Sequence, residues 1–312
     1  MITDGFLGGS AHRLRKLKLS RVQFPTLPKF LLSAHDLVEL HLEYVASTGC
    51  YIPSDVMATC MSILARLQYV STVFWSTESI SQVRTDPSPL PPARAHLPAL
   101  AILVFSGVKE YSEDLMSRID APLLQSLRLK FFYRPTFDIP QLSRFINGME
   151  KLKSPLWASM VFHEDGIEVS ILSSLGGSLF LEIMCTVIDK QFLLLERFWT
   201  QCLPLRSQVD ELELSKTCHM QKDLQSAIGW LGFLSPFNAS QILYVHDEEL
   251  ETSIASELGE LNGESVVEVL PMLHTLKLDR LDRAKPLVTS LKTFIDARRL
   301  SSRPVTVKWG DL

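Results

Sequence analysis

One leucine spacing recurs along the chain and limits what it can fold into. Leu14-x-x-Leu17-x-Leu19, Leu37-x-x-Leu40-x-Leu42, Leu124-x-x-Leu127-x-Leu129 and Leu273-x-x-Leu276-x-Leu278 fit L-x-x-L-x-L without exception. Leu100-x-x-Leu103-x-Phe105 and Val209-x-x-Leu212-x-Leu214 are close variants. Weaker forms stand at Leu67-x-x-Val70, running into Val73, and at Ala239-x-x-Ile242-x-Tyr244. First positions are 23 (14 to 37), 30 (37 to 67), 33 (67 to 100) and 24 (100 to 124) residues apart, and later 30 (209 to 239) and 34 (239 to 273).

The fourth and sixth positions alternate with the period of a strand, so they share one face. Segments with helical spacing lie between the motifs. Pro53 to Leu67 puts Val56, Met57, Cys60, Ile63, Leu64 and Leu67 on one stripe, after a start signal at Pro53-Ser54-Asp55. Tyr111, Leu115, Met116 and Ile119 repeat the pattern, as do Pro140 to Met149 and Asp223 to Leu234. A single strand–helix unit cannot bury its leucines; stacked units can. The expected fold is therefore α/β, an irregular leucine-rich-repeat solenoid with a curved parallel sheet and outer helices. The ninth position holds Val22, Val45, Phe132, Thr217 and Leu281 rather than asparagine, so irregular turns are expected.

Composition supports a large buried core. Hydrophobic residues make up 46 %, charged residues 21 %, and the mean hydropathy is +0.13 over 312 residues. Those values exclude wholesale disorder. The net charge of −4, from 31 basic and 35 acidic residues, gives no global basic field, so nucleic acid is not an expected partner. No run approaches the roughly 20 apolar residues of a membrane span, and residues 1–19 have no apolar signal core. Cys50, Cys60, Cys185, Cys202 and Cys218 are odd in number and scattered. Reduced thiols in the cytoplasm or nucleus are expected.

Some segments interrupt the repeat. Thr85 to Pro92 holds four prolines, and residues 84–96 are expected to form a Pro-rich loop insertion in a single domain spanning 1–312. Trp157–Phe162, Ile167–Ile171 and Leu179–Met184 predict strands, with Asp165-Gly166 and Gly176-Gly177 as turns. Leu287–Leu300 predicts a final helix and Val305–Trp309 a closing strand. Residues 11–30 are basic without an acid, and 247–268 acidic without a base; both predict solvated faces.

The usual motifs of catalysis are missing. There is no Walker loop, dinucleotide glycine turn, nucleophile elbow, C-x-x-C or H-E-x-x-H. His246-Asp247-Glu248-Glu249 predicts a surface loop, because adjacent side chains diverge. Cys218-His219 lacks a positioned acid. His41 and Glu43 share a strand face and could pair for proton transfer. No cofactor or metal is expected.

What remains is a surface. The third, fifth and seventh positions project away from the leucines. They are Lys16, Lys18 and Ser20; Glu39, His41 and Glu43; Ile102, Val104 and Ser106; Ser126, Arg128 and Lys130; Glu211, Glu213 and Ser215; and Thr275, Lys277 and Asp279. Mixed charge around an apolar row suits a protein or peptide ligand.

Leu31-Leu32-Ser33-Ala34-His35-Asp36-Leu37-Val38-Glu39-Leu40-His41-Leu42 resembles the L-L-S-A-x-D-L-V-x-L-x-L segment of leucine-rich-repeat regions in mushroom-type fungal F-box proteins. Ile52 to Cys60, Leu97-Pro98-Ala99-Leu100, Arg118 to Leu124, Phe137 to Leu142, Val269 to Leu278 and Phe294 to Arg299 match later units of that pattern. The resemblance is tightest between residues 27 and 142 and looser from 151 to 240. It implies a right-handed α/β solenoid that holds targets for a cullin-based ubiquitin ligase, with no catalytic residues. The family's F-box would precede the repeats, and here the first repeat begins at Leu14. The resemblance therefore implies a protein target as partner, and the ligase adaptor only with an F-box upstream. The alternative is an intracellular scaffold without a ligase role; a hydrolase or transferase would need a pocket joining Cys218, His219 and a buried acid.

Overall fold

The computed structural model describes residues 2, 11–45, 52–74, 94–132, 138–217, 229–261, 263, 265–279 and 285–310. The protein is α/β, with a large, mostly parallel sheet of twelve strands. Two compact units divide it: Met1–Phe132 with Asp138–Lys151 and Gly177–Leu181, and a second containing Leu152–Gly176 and Glu182–Leu312.

The first unit contains β1 (Lys16–Ser20), α1 (Leu27–Leu31), β2 (Glu39–Glu43), α2 (Ser54–Ile63), β3 (Tyr69–Val73), β4 (Ala95–His96), β5 (Ile102–Gly107), α3 (Lys109–Arg118), β6 (Ile119–Asp120), β7 (Ser126–Phe131) and α4 (Pro140–Asn147). Strands β1, β2, β3, β5 and β7 run parallel in that order. β4 and β6 form a separate parallel pair.

The second unit contains β8 (Pro155–Phe162), β9 (Gly166–Ser173), α5 (Ile188–Gln201), α6 (Leu203–Arg206), β11 (Glu211–Lys216), α7 (Trp230–Leu234), β12 (Ile242–His246), α8 (Glu248–Glu260), α9 (Ser265–Glu268), β13 (Thr275–Leu278), α10 (Lys285–Leu300) and β14 (Thr306–Trp309). β10 (Ser178–Met184) gives residues 178–181 to the first unit and 182–184 to the second. β8 and β9 form an antiparallel hairpin, and β8, β11, β12, β13 and β14 run parallel. The full strand order is β1-β2-β3-β5-β7-β10-β9-β8-β11-β12-β13-β14.

Alternation builds the core. Leu17, Leu40, Val70, Leu103 and Leu127 occupy one register row, and Leu19, Leu42, Thr72, Phe105 and Leu129 the next; all are buried. Met57, Cys60 and Met61 of α2 and Tyr111, Leu115 and Met116 of α3 are buried too. The first motif leucine closes a tight turn into the strand. Leu37 N–H donates to Ala34, Leu67 to Leu64, Leu100 to Leu97, Leu124 to Ala121 and Leu273 to Leu270.

A second backbone device recurs at the strand entrances. One carbonyl accepts two successive N–H groups from the next strand: Arg15 from Val38 and Glu39, Val38 from Gln68 and Tyr69, Gln68 from Ala101 and Ile102, and Ala101 from Gln125 and Ser126. In the second unit Asp210 accepts from Gln241 and Ile242, and Gln241 from His274 and Thr275. Main-chain atoms thus tie the strands at these six places to their neighbours at the motif's second position.

Several expectations need correction. The weak repeat at Ala239 is out of frame by one residue. Leu243 and Val245, not Ile242 and Tyr244, point into the core opposite Leu212 and Leu214, and Ser240 takes the first position. Ser240 replaces leucine there by donating from Oγ to the buried Val209 carbonyl at 2.8 Å. Val73 faces outward, since Thr72 fills the inner position. Ala95–His96, placed in the Pro-rich insertion, forms β4; residues 84–93 lie outside the described residues. Cys218-His219 and Asp223 also lie outside them, and of the helix expected over Asp223–Leu234 the described part is α7. His246-Asp247-Glu248-Glu249 is not a loop but a strand end and helix start. Asp247 caps α8, its side chain accepting from the N–H groups of Glu249 and Leu250. The acidic run is not wholly solvated: Glu251 is buried and accepts the Asp279 N–H at 2.8 Å.

Candidate functional site

In each unit the residues between the core positions make an open sheet face. In the first unit three register rows cross five strands. They are Lys16, Glu39, Tyr69, Ile102 and Ser126; then Lys18, His41, Ser71, Val104 and Arg128; then Ser20, Glu43, Val73, Ser106 and Lys130. In-phase parallel pairing puts equivalent motif positions side by side, so the sequence spacing becomes a spatial array.

The charges on this face are unevenly satisfied. Lys16 Nζ lies 2.5 Å from Glu39 Oε2, and His41 Nε2 lies 3.4 Å from the same oxygen. The Lys16 ammonium first, and then the His41 ring, hold the Glu39 carboxyl below its ordinary range. The His41 ring stacks on Tyr69 with centroids 4.6 Å apart. Ser20 Oγ donates to Glu43 at 3.0 Å. His41 therefore pairs with Glu39 and not with Glu43, which removes the proton-transfer pair considered from sequence. Lys18 and Arg128 are exposed and make no ion pair among the described residues. Between them, β3 and β5 present only uncharged side chains: Tyr69, Ser71, Val73, Ile102, Val104 and Ser106.

The second unit's face is more aromatic and more tightly bonded. Its rows are Leu172, Trp157, Glu211, Ile242, Thr275 and Thr306, then Ser170, Ser159, Glu213, Tyr244, Lys277 and Lys308. Trp157 Nε1 donates to Glu213 at 3.1 Å, and His246 Nε2 lies 3.5 Å from the same carboxylate. His246 Nδ1 lies 3.8 Å from Asp279. Tyr244 OH donates to Glu211 at 3.1 Å and accepts from Lys277 Nζ at 3.0 Å.

Every candidate residue named from the spacing lies at an outward strand position except Asp279, which directly follows β13, and Thr275 at its outward position is nevertheless buried. Lys16 to Lys130 fall in the first unit, and Glu211, Glu213, Lys277 and Asp279 in the second. The spacing missed Tyr69, Ser71 and Val73 because Val70 and Thr72 stand where leucines mark other repeats. It missed Trp157 and Ser159 because β8 carries Pro155-x-x-Ala158-x-Met160, with no leucine at the motif positions. Tyr244 and Ile242 were read as core because one residue of frame shift exchanges the two faces of a strand.

Among the described residues no group of three or more His, Cys, Asp or Glu side chains is placed to hold a metal. The described cysteines Cys60, Cys185 and Cys202 are buried, and burial pushes the Cys60 thiol up to about 11. No helix among the described residues is long and apolar enough to cross a membrane.

Fold and surface together define an α/β protein with an ordered, outward-facing array of strand side chains in each unit. No family model, characterised protein or solved structure matches the chain.

Proposed function

We propose that the chain is an irregular leucine-rich-repeat solenoid and a non-catalytic protein-interaction module. Its role is the target-recognition region of an F-box protein serving a cullin-based ubiquitin ligase in the cytoplasm or nucleus. The observation that supports the reading most directly is the in-phase parallel register. It buries the repeat leucines and sets the intervening side chains in rows on each unit's open face. Such rows carry mixed charge around exposed apolar and aromatic groups, the composition of a protein-binding surface. The resemblance of Leu31–Leu42 to the fungal F-box repeat regions supplies the ligase context.

The test is crosslinking and affinity purification from the native cells, comparing the whole protein with a variant carrying Arg128→Glu and Glu211→Lys. A target retained by the wild type and lost by the variant is expected, and it should accumulate when the proteasome is inhibited. A bound set unchanged by the substitutions removes the interaction-face reading. A lost target whose abundance never changes leaves a scaffold without a ligase role.

A further inference from the structure

We infer that the open face of the first unit takes an extended peptide lying across the strands, with two acidic side chains six residues apart and apolar side chains between them. This rests on the protein-binding reading above and specifies the ligand.

Three observations set the geometry. First, Lys18 on β1 and Arg128 on β7 occupy the same register row at its two ends. Second, both cations are exposed and make no ion pair among the described residues, whereas Lys16 and His41 share Glu39 and Glu43 accepts from Ser20. Third, of the strands between these two poles, β2 carries Glu39, His41 and Glu43, while β3 and β5 carry no charge and offer the Tyr69 ring, on which His41 stacks, and the side chains of Ile102 and Val104.

Four strand-to-strand steps of about 4.8 Å put the poles about 19 Å apart. An extended chain advances about 3.3 Å per residue and presents alternate side chains to one side, so residues i and i+6 span about 20 Å and face the same way. With i over Lys18 and i+6 over Arg128, residue i+2 falls between His41, whose ring stacks on Tyr69, and Ser71, and i+4 falls near Val104. The ligand pattern is acidic-x-apolar-x-apolar-x-acidic. Arg128 can take its carboxylate through two parallel N–H donors, which fixes that end, while Lys18 acts as a point charge. A polyanionic backbone is disfavoured here, because Glu39 and Glu43 flank Lys18 on the adjacent strand.

The experiment pans an unbiased twelve-residue peptide display library against the full chain. Enrichment of acidic pairs at i and i+6 with apolar residues at i+2 or i+4 is expected. A synthetic peptide of that pattern should lose about three- to tenfold in affinity for Lys18→Glu or Arg128→Glu. The double variant should select basic pairs at the same spacing. Melting curves establish that these exposed substitutions leave the protein folded. Enriched peptides without the acidic pair, acids at another spacing, no enrichment, or affinity indifferent to both substitutions overturns the proposal. If the library shows no acidic pair but Val104→Glu still releases the native target, the peptide assignment falls and the binding reading stands. If the target is retained by every face variant, the reading itself falls.

Discussion

The carboxylate of Glu113, on α3, sits on the first turn of α4 and accepts the Leu142 N–H at 2.8 Å; its other oxygen takes the Gln141 N–H at 2.9 Å. Pro140 opens that helix and has no N–H, so these are the first free donors of α4, capped by the neighbouring helix.

Burial holds the Glu113 carboxyl above its ordinary range, against the pull of those two N–H groups. The folded state therefore keeps the proton more tightly than the unfolded chain. The stabilisation this brings is complete below about pH 4, near the unfolded value, and fades as pH rises through the folded value. Glu113→Gln keeps an acceptor without the titration. Urea unfolding should show wild-type stability falling relative to Glu113→Gln as pH rises from about 4, then running parallel. Glu113→Ala removes the cap and should cost about 0.5–2 kcal/mol. A wild type that gains on Glu113→Gln with rising pH contradicts the assignment.

Arg298 is fully buried on α10 and donates to three main-chain carbonyls: Leu273 at 2.7 Å, Arg303 at 3.1 Å and Val266 at 3.3 Å. It ties α9, the turn before β13 and the approach to β14 together. Arg298→Met keeps much of the bulk but strands those acceptors. A loss of about 2–4 kcal/mol is expected in denaturant unfolding, with faster amide exchange along β14. Arg298→Lys should fall between, since one ammonium cannot reproduce the planar fork.

Leu127 and Arg128 are adjacent on β7 but face opposite ways, one fully buried and the other exposed. Leu127→Ala should cost about 2–5 kcal/mol through lost burial and the cavity left behind. Arg128→Glu should stay within about 0.5 kcal/mol of wild type. Thermal melts of the two variants check the strand register, because a one-residue slip would exchange the outcomes.

Cys60 is buried on α2, with its Sγ 3.6 Å from the Pro28 carbonyl and its thiol pushed up to about 11. At pH 8 about one thiol in a thousand is thiolate, and reagent access is blocked as well. Mass spectrometry after brief iodoacetamide treatment should find Cys60, Cys185 and Cys202 unmodified in the native protein and labelled in urea.

The repeat was readable in the sequence wherever leucine, a residue that is both apolar and distinctive, filled its fourth and sixth positions. Strands β1, β2, β7, β11 and β13 follow from that pattern, and so do the outward residues between their leucines. It became obscure where the core accepts another residue. Thr72 occupies an inner position with its hydroxyl unpartnered among the described residues, and Ser240 replaces a leucine by bonding to the Val209 carbonyl. Neither substitution is visible as a repeat without its partner strand. The hairpin of β8 and β9 was readable from the Asp165-Gly166 turn and the alternation beside it. The pairing of Trp157 with Glu213, and of Tyr244 with Glu211 and Lys277, depends on which strands become neighbours, information that one chain's local spacing does not hold.

The forked carbonyls at Arg15, Val38, Gln68, Ala101, Asp210 and Gln241 use only atoms that every residue type except proline possesses. The alignment of neighbouring strands is thus decoupled from the identity of the side chains displayed beside it. Each return segment can grow, shrink or swap its helix, and each displayed position can be rewritten, without disturbing the stitching. Such a frame lets mutation vary the displayed side chains while the stitching underneath stays constant, and it offers protein engineers the same freedom.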